Sequence, residues 1–247
     1  MNEQAASIAF VTGAAGVTGL AVAKALAEDG LRVVMADIDE DGLSSAAEEV
    51  NGSAFPVVLD VSNPAAVRQA GDWVRGELGD VDILFNNAGM LSNNKCAETD
   101  DDEWRRLMNI NVDGSFFLAR EFLPAMKQKG WGRVINMCSL AMKTGGLTAG
   151  TAYTTSKGAL VALTFSLARE SAAQGVTVNG IAPANIKTPM VTEQLTEPQR
   201  QNLLAEIPVG RFCEAEEIAH VVRFLISPLA GFITGEIIDI NGGLHLD

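Results

Sequence analysis

Short apolar runs alternate with longer segments of helical periodicity along almost the whole chain. The short runs are rich in Val, Ile and Phe and are bounded by Gly, Asp or Asn, a pattern typical of buried strands. The longer segments carry apolar residues on one face, as amphipathic helices do. The pattern predicts strands over residues 8–11, 32–36, 55–59, 83–85, 133–137, 176–181 and 236–240, and helices over residues 20–29, 64–78, 101–126, 152–173 and 215–226.

This alternation predicts an α/β fold, a doubly wound, Rossmann-like parallel sheet of about seven strands with helices on both faces. No linker, repeat or low-complexity segment divides the chain, so we expect a single dinucleotide-binding and catalytic domain over residues 1–247. Helix-end signals agree, because Asn63 precedes Pro64 as an N-cap and Gly30 follows the first helix. Ligands of such sheets bind at the carboxyl ends of the strands, where we expect the functional site.

Composition and charge narrow the classes of ligand. A net charge of −13 argues against binding to nucleic acid or to anionic membranes. No apolar run approaches the length of about 18 residues that marks a transmembrane helix, so we expect a cytoplasmic protein with a small-molecule ligand. The few candidate metal ligands are too scattered to predict a metal site: Cys96, Cys138, Cys213, His220 and His245.

A glycine-rich turn, TGAAGVTG, follows the first predicted strand and leads into the first predicted helix. Gly13, Gly16 and Gly19 permit positive φ angles and a close approach of backbone N–H groups to a pyrophosphate at the helix N-terminus. The same glycines could instead form a tight turn without any ligand.

Asp37 ends the second predicted strand, where an acidic side chain accepts hydrogen bonds from an adenosine ribose and repels a 2′-phosphate. Neither Ile38 nor Gly16 supplies an arginine for that phosphate, so the sequence favours NAD over NADP. Asp37 could alternatively cap the following helix, a role that Asp39 could equally fill.

Tyr153 precedes Lys157 by four residues, with Ser139 fourteen residues upstream. This spacing puts the phenol and the ammonium one turn apart on a helix, where the cation favours the ionised phenol. The pair is therefore a candidate for proton transfer, although the same spacing also occurs on ordinary solvated helix faces.

In this order along the chain, these motifs resemble the short-chain dehydrogenase/reductase family of the small, single-domain type, over essentially the whole length. The residues that carry the resemblance are 12–19, Asp37, Asp60 with Val61, the NNAG motif at 86–89, Asn111 in INVDG, Ser139, Tyr153 with Lys157, 183–190, and the closing ITGEIIDINGG.

The resemblance implies a nicotinamide cofactor and assigns residues to it. Asp60 and Val61 would flank the adenine, and residues 87–89 would line the cofactor, although Asn86 and Asn87 could also brace the sheet. With the glycine turn and Asp37, the expected cofactor residues are Gly13, Gly16, Val17, Thr18, Gly19, Asp37, Ile38, Asp60, Val61, Asn87, Ala88, Gly89, Tyr153, Lys157, Pro183, Ile186 and Thr188.

It likewise implies a catalytic set of Asn111, Ser139, Tyr153 and Lys157. Tyr153 would exchange a proton with the substrate oxygen while Ser139 donates a hydrogen bond to it. Lys157 would hold the nicotinamide ribose, and Asn111 would kink its helix and hold a water. Asparagine is a poor helix former, which by itself suggests a special role in mid-helix.

The sequence gives much less information about the substrate. In this family residues 91–95, 140–149 and 190–204 should surround it, and they combine apolar with a few polar side chains, which suits a small alcohol or ketone. The residues concerned are Asn93, Asn94, Met142, Leu147, Thr148, Met190, Val191, Gln194 and Leu195, of which the methionines and leucines could instead be ordinary core residues.

Two positions depart from the family pattern. Val17 stands where glycine is usual, and we expect Gly16 to make the close approach to the pyrophosphate instead. Ala184 stands where glycine commonly follows the proline, and it would be strained if that site required a positive φ.

We therefore expect an NAD-dependent oxidoreductase acting on a secondary alcohol or ketone. The alternative is a catalytically silent NAD-sensing module with the same fold. Enoyl reduction is a third option, but relatives that perform it usually space Tyr and Lys further apart. The resemblance also implies a homotetramer in which the helices over 101–126 and 152–173 pack against their symmetry mates.

Overall fold

The parallel sheet has the strand order β3-β2-β1-β4-β5-β6-β7 in a computed structural model that describes residues 7–50, 52–188 and 196–246. Its strands are β1 Ile8–Thr12, β2 Arg32–Asp37, β3 Ala54–Val58, β4 Ile83–Asn86, β5 Gly132–Met137, β6 Val176–Pro183 and β7 Ile237–Ile240. Every neighbouring pair is parallel. The order reverses between β1 and β4, which confirms the doubly wound α/β fold and opens a crevice at that point.

Alternate residues of each central strand point to opposite faces of the sheet. On β1, Ile8 and Phe10 join one hydrophobic core, whereas Ala9 and Val11 join the other. Both faces of β1 are apolar because helices cover both.

Nine α-helices are present in the described ranges. They are α1 Val17–Glu28, α2 Glu40–Glu48, α3 Pro64–Glu77, α4 Asp101–Met108, α5 Gly114–Lys129, α6 Ala141–Thr144, α7 Thr151–Ser171, α8 Glu197–Glu206 and α9 Ala215–Ile226. Helices α3, α5 and α7 pack on one face of the sheet, and α1, α2 and α9 pack on the other. Residues 109–113 form one π-helical turn between α4 and α5.

The predicted strands are all present, with ends shifted by at most two residues. Three helices were not predicted: α2, α6 and α8. Helix α2 buries only Leu43 and Ala46 and contains Gly42, so its periodicity is weak. It begins at the N-cap Asp39, whose carboxylate accepts a hydrogen bond from the Gly42 N–H at 3.1 Å.

The helix-end predictions are confirmed. The Asn63 side chain accepts hydrogen bonds from the N–H groups of Ala65 and Ala66, and Pro64 is the first helical residue of α3. Gly30 follows α1 with a φ of +84°. Among the described residues, none of the helices combines the length and the apolar character needed to cross a bilayer.

Candidate functional site

A cavity of about 470 Å³ opens at the carboxyl ends of β1, β2 and β4, where the strand order reverses. It is lined by Gly13, Gly16, Val17, Thr18, Ala36, Asp37, Ile38, Leu59, Asp60, Val61, Asn87, Ala88, Gly89, Met90, Ile110 and Thr188. Most of the expected cofactor residues are in this lining. Those that are not are Gly19, Tyr153, Lys157, Pro183 and Ile186.

The three glycines after β1 differ in what surrounds them. Gly13 has a φ of +64°, and a Cβ there would lie 2.7 Å from the Asn87 side-chain nitrogen. A Cβ on Gly19 would lie 2.1 Å from the Gly13 carbonyl oxygen, so α1 can start against the turn only if residue 19 is glycine. At Gly16, by contrast, the backbone is extended and the nearest atom to a Cβ is the Gly13 oxygen at 3.4 Å. The space beside Gly16 is therefore open toward the cavity.

Asp37 secures this turn from the end of β2. One carboxylate oxygen accepts a hydrogen bond from the Ala15 N–H at 3.0 Å, and the other accepts one from the Asp39 N–H at 3.1 Å. Since Asp39 caps α2, the capping role considered for Asp37 is not its role. Each Asp37 oxygen keeps a further lone pair for a ligand in the cavity.

Three polar side chains, Thr12, Asn86 and Asn87, brace the strands beneath the cavity. The Thr12 hydroxyl accepts hydrogen bonds from the Asn87 and Ala88 N–H groups, both at 2.9 Å. The Asn87 side chain donates to the carbonyls of Thr12 and Gly13 while it also lines the cavity. Asn86 donates to Asn136 at 2.8 Å and so ties β4 to β5. Asn86 is therefore a brace, and Asn87 both braces the sheet and faces the cavity.

Asn111 lies in the π-helical turn and is 1% exposed. Its side chain accepts a hydrogen bond from the Met90 N–H at 2.8 Å and donates to the Met90 carbonyl at 3.0 Å and the Ser156 hydroxyl at 2.9 Å. The break in the helix implied by the resemblance is thus a single π-turn, a form of helix irregularity that often occurs at functional sites.

Lys157 is buried on α7, and its ammonium donates to the Met137 carbonyl at 2.5 Å. The same ammonium lies 5.7 Å from the ring centroid of the half-buried Tyr153. A Cβ on Gly89 would lie 3.2 Å from the side-chain oxygen of Asn111 and 3.5 Å from the ammonium nitrogen of Lys157. Glycine at position 89 therefore leaves a space between Asn111 and Lys157 at the edge of the cavity.

Ser139 follows β5 by two residues, and its hydroxyl accepts a hydrogen bond from the Ala141 N–H at 3.2 Å. The hydroxyl proton has no acceptor among the described residues, so it remains available to a substrate. Burial raises the pKa of the adjacent Cys138 thiol to about 11, although the Lys157 charge partly opposes the shift. The Cys138 thiol is therefore neutral at physiological pH.

Beyond β6, the structure bears on the expectations for Ala184 and Ile186. Ala184 is not strained, because no described residue other than glycine has a positive φ. Ile186 pairs with Cys213 in an isolated bridge and packs on the core, outside the cavity lining. Burial raises the pKa of the Cys213 thiol to about 11 as well. The expected substrate residues Met190, Val191, Gln194 and Leu195 lie outside the described residues.

Sequence reasoning missed four lining residues: Ala36, Leu59, Met90 and Ile110. They are apolar and carry no chemical signal, although each of them adjoins a predicted site residue in sequence. Among the described residues, no group of three or more His, Cys, Asp or Glu side chains is arranged to hold a metal ion.

The cavity suits a nicotinamide dinucleotide. The glycine turn places the N-terminus of α1 in the lining, where it can bind a pyrophosphate. Asp37 is in the same lining and can accept hydrogen bonds from a ribose. Gly89, which is also in the lining, leaves room beside the buried Lys157 ammonium, and this ammonium in turn lies near Tyr153. A doubly wound sheet with these groups at its switch point defines a class of proteins, the dinucleotide-binding oxidoreductases.

Comparison with known proteins agrees with this class. A family model described as enoyl-(acyl carrier protein) reductase matches residues 13–245. The 3-oxoacyl-(acyl-carrier-protein) reductase FabG of Salmonella typhimurium is 38% identical over 240 residues, covering 97% of each chain. Those of Escherichia coli and Pseudomonas aeruginosa are each 37% identical, also with 97% of each chain covered. The chain belongs to the short-chain dehydrogenase/reductase family of nicotinamide-dependent oxidoreductases.

Proposed function

We propose that this protein transfers a hydride between NAD and a secondary alcohol or ketone, with Tyr153 as the general acid and base. The observation that carries the proposal is the convergence of Asn111, Lys157 and Tyr153 beside the open space at Gly89. Gly89 itself lines the cavity together with the glycine turn and Asp37.

When bound, the nicotinamide supplies or accepts the hydride. In the direction of reduction, the Tyr153 hydroxyl gives its proton to the carbonyl oxygen, and in oxidation the phenolate takes it back. Ser139 donates its hydroxyl proton in a hydrogen bond to the same oxygen and stabilises the charge that develops there. The Lys157 ammonium, with its remaining N–H groups, offers hydrogen-bond donors to a ribose.

For the cofactor we favour NAD over NADP. The Asp37 carboxylate lines the cavity at the end of β2 and retains lone pairs that can accept from ribose hydroxyls. A 2′-phosphate at this position would meet a like charge. Within the described lining of the cavity no arginine or lysine is present to offset that repulsion.

For the substrate we favour a carbonyl group over a carbon–carbon double bond. Tyr153 and Lys157 are four residues apart, a shorter spacing than is usual in relatives that reduce enoyl groups. The relatives named above are 3-oxoacyl reductases, which reduce a ketone. A 3-oxoacyl thioester is therefore the first substrate to test. We also propose a cytoplasmic enzyme of one domain, since Cys96, Cys138 and Cys213 are all unpaired.

The homotetramer expected from the family is supported by exposed aromatic side chains on two separate patches. Trp104, Phe116 and Phe165, on α4, α5 and α7, are 40–50% exposed. We assign Phe224 on α9 and Phe232 before β7 to a second patch, since Phe224 is half exposed and Phe232 is fully exposed. A tetramer with three twofold axes needs at least two such self-complementary interfaces.

The test compares the wild type with Tyr153→Phe, following absorbance of the reduced cofactor. The substrates are a panel of secondary ketones, a 3-oxoacyl thioester and an enoyl thioester, each with NADH and with NADPH. We expect turnover of ketones with NADH, and a loss of about hundredfold or more in kcat for Tyr153→Phe, since general acid catalysis is removed. NADH affinity, measured by fluorescence titration, should stay within about threefold because Tyr153 does not line the cavity.

Thr155→Ala is the matched control, because Thr155 is an exposed neighbour on the same helix. Its activity should equal that of the wild type. NADH binding without turnover of any substrate would favour the sensing module, reduction of the enoyl thioester alone would favour enoyl reduction, and a preference for NADPH would overturn the role given to Asp37.

A further inference from the structure

The start of the helix that carries Tyr153 is held by a loop from another part of the chain. The N–H groups of Gly150 and Thr151 donate to the carbonyls of Ser92 and Asn94, at 2.7 and 3.0 Å. A Cβ on Gly150 would lie 2.4 Å from the Asn94 oxygen, so the two segments are in close contact. Helix α7 begins at Thr151, which places Tyr153 in its first turn, and this loop therefore sets where the phenol lies.

Helix α4 holds the loop from one side. The Glu103 carboxylate accepts a hydrogen bond from the Asn94 side-chain amide at 2.8 Å, and its second oxygen pairs with the Ser92 hydroxyl. That hydroxyl also accepts from the Asn94 N–H at 3.1 Å. The two carbonyls that cap α7 are thus on residues whose side chains are anchored to α4.

Lys95 ties the same loop to the connection between α6 and α7. Its ammonium donates to the carbonyls of Gly146 and Ala149, at 2.9 and 2.7 Å. This connection in turn touches α7, since a Cβ on Gly146 would lie 2.2 Å from the Thr154 hydroxyl oxygen. Among the described residues, Lys95 forms no ion pair with a carboxylate, so its charge is used to join two backbone segments.

We propose that Lys95 is a positioning residue that fixes Tyr153 relative to Lys157 and Ser139 by fastening both segments that flank the start of α7. The inference rests on the proposed function, because it concerns the residue proposed as the general acid and base. Ordering a lysine side chain costs conformational entropy. The two hydrogen bonds from Lys95 to carbonyls offset this cost only while both segments stay within reach of its ammonium. Displacements of about 1 Å from the reactive geometry can cost orders of magnitude in rate.

The experiment compares Lys95→Met and Lys95→Arg with a control, Lys24→Met. Lys24 is a partly exposed lysine that pairs with Glu49, away from the cavity lining. The readouts are kcat with a saturating ketone, the NADH dissociation constant and the thermal midpoint. Lys95→Gln replaces Lys95→Met if the latter is insoluble.

We expect Lys95→Met to lower kcat about tenfold while NADH affinity stays unchanged, because the loop does not line the cofactor cavity. Lys95→Arg should restore most of the rate, since a guanidinium can also donate to two carbonyls. Lys24→Met should match the wild type in every readout.

The inference fails if Lys95→Met keeps the wild-type kcat, or if its loss of activity merely follows a lower thermal midpoint and weaker NADH binding. It also fails if Lys95→Arg rescues nothing. These outcomes differ from failure of the proposed function, in which the wild type itself shows no turnover or Tyr153→Phe remains active.

Discussion

The glycines after β1 serve two different purposes. Gly13 and Gly19 are required by the fold, since side chains there would overlap Asn87 or the turn itself. Gly16 is required by neither backbone conformation nor internal packing. Its missing side chain instead keeps the cavity open, which favours the expectation that Gly16, and not residue 17, approaches the pyrophosphate.

Gly16→Val should therefore weaken NADH binding at least about tenfold without unfolding the protein, because the added side chain fills space that belongs to the ligand. Titration calorimetry measures the affinity, and the thermal midpoint reports on folding. Gly76→Val is the control, since nothing lies within 4 Å of a Cβ at Gly76 on α3. Unchanged affinity in Gly16→Val would overturn the assignment.

At the scale of the element, the long helix predicted over 101–126 is the clearest departure from its prediction. Its apolar periodicity is nearly continuous, but the structure has α4, a π-turn and α5 in its place. The turn occurs at Asn111, whose side chain is occupied with Met90 and Ser156 instead of with solvent. Periodicity detected the helix, and a long-range hydrogen-bond network decided where it breaks.

Helix α9 carries a pH dependence at its N-terminus. Glu217 forms a capping box with Glu214 and a bidentate pair with Arg211. The hydrogen bonds from Arg211, and to a lesser extent from the Glu214 N–H, lower the pKa of the Glu217 carboxyl to about 2. A lowered pKa in the folded state gives stability that is fully present above the ordinary value of 4.5 and is lost as pH falls toward about 2.

Glu217→Gln should thus destabilise the protein at neutral pH by less than about 1 kcal/mol, because the carboxylate is 41% exposed and solvent screens the pair. The difference from the wild type should shrink as the pH is lowered from 5 to about 3. Urea unfolding at a series of pH values measures this difference. A gap that stays constant over that range would contradict the assigned cause.

For the whole molecule, several helices carry large apolar side chains that the rest of the described chain leaves exposed. The aromatic patch on α4, α5 and α7 and the second patch near β7 belong to different elements. Exposed apolar patches of this kind commonly mark interfaces between subunits.

Light scattering should show a tetramer, and Phe165→Glu, which puts a charge in the first patch, should yield a dimer held by the second patch alone. Trp73→Glu is the control, because Trp73 is 41% exposed on α3, outside both patches. A monomeric wild type, or the same mass for Phe165→Glu as for the wild type, would refute this arrangement.

Much of the fold was predictable because its signals are local. A strand such as β1 or a helix such as α9 has its hydrophobic pattern within a few consecutive residues, and Asn63 with Pro64 marks a helix start by itself. Helix α2 was missed because its pattern is short and weak. The order of the motifs then indicated the family and, with Asp37 and Tyr153, the candidate chemistry.

The sequence by itself determined the order of strands and helices and the residue types available at the carboxyl edge of the sheet. Only the tertiary structure decided which glycine of the turn leaves space for a ligand, that Asp39 and not Asp37 caps α2, and that Lys95 joins two segments beside the start of α7. These outcomes depend on contacts between residues far apart in the chain, such as Lys95 with Gly146. Such contacts leave no periodic or local signature, because they arise only when the packed elements bring the two segments together.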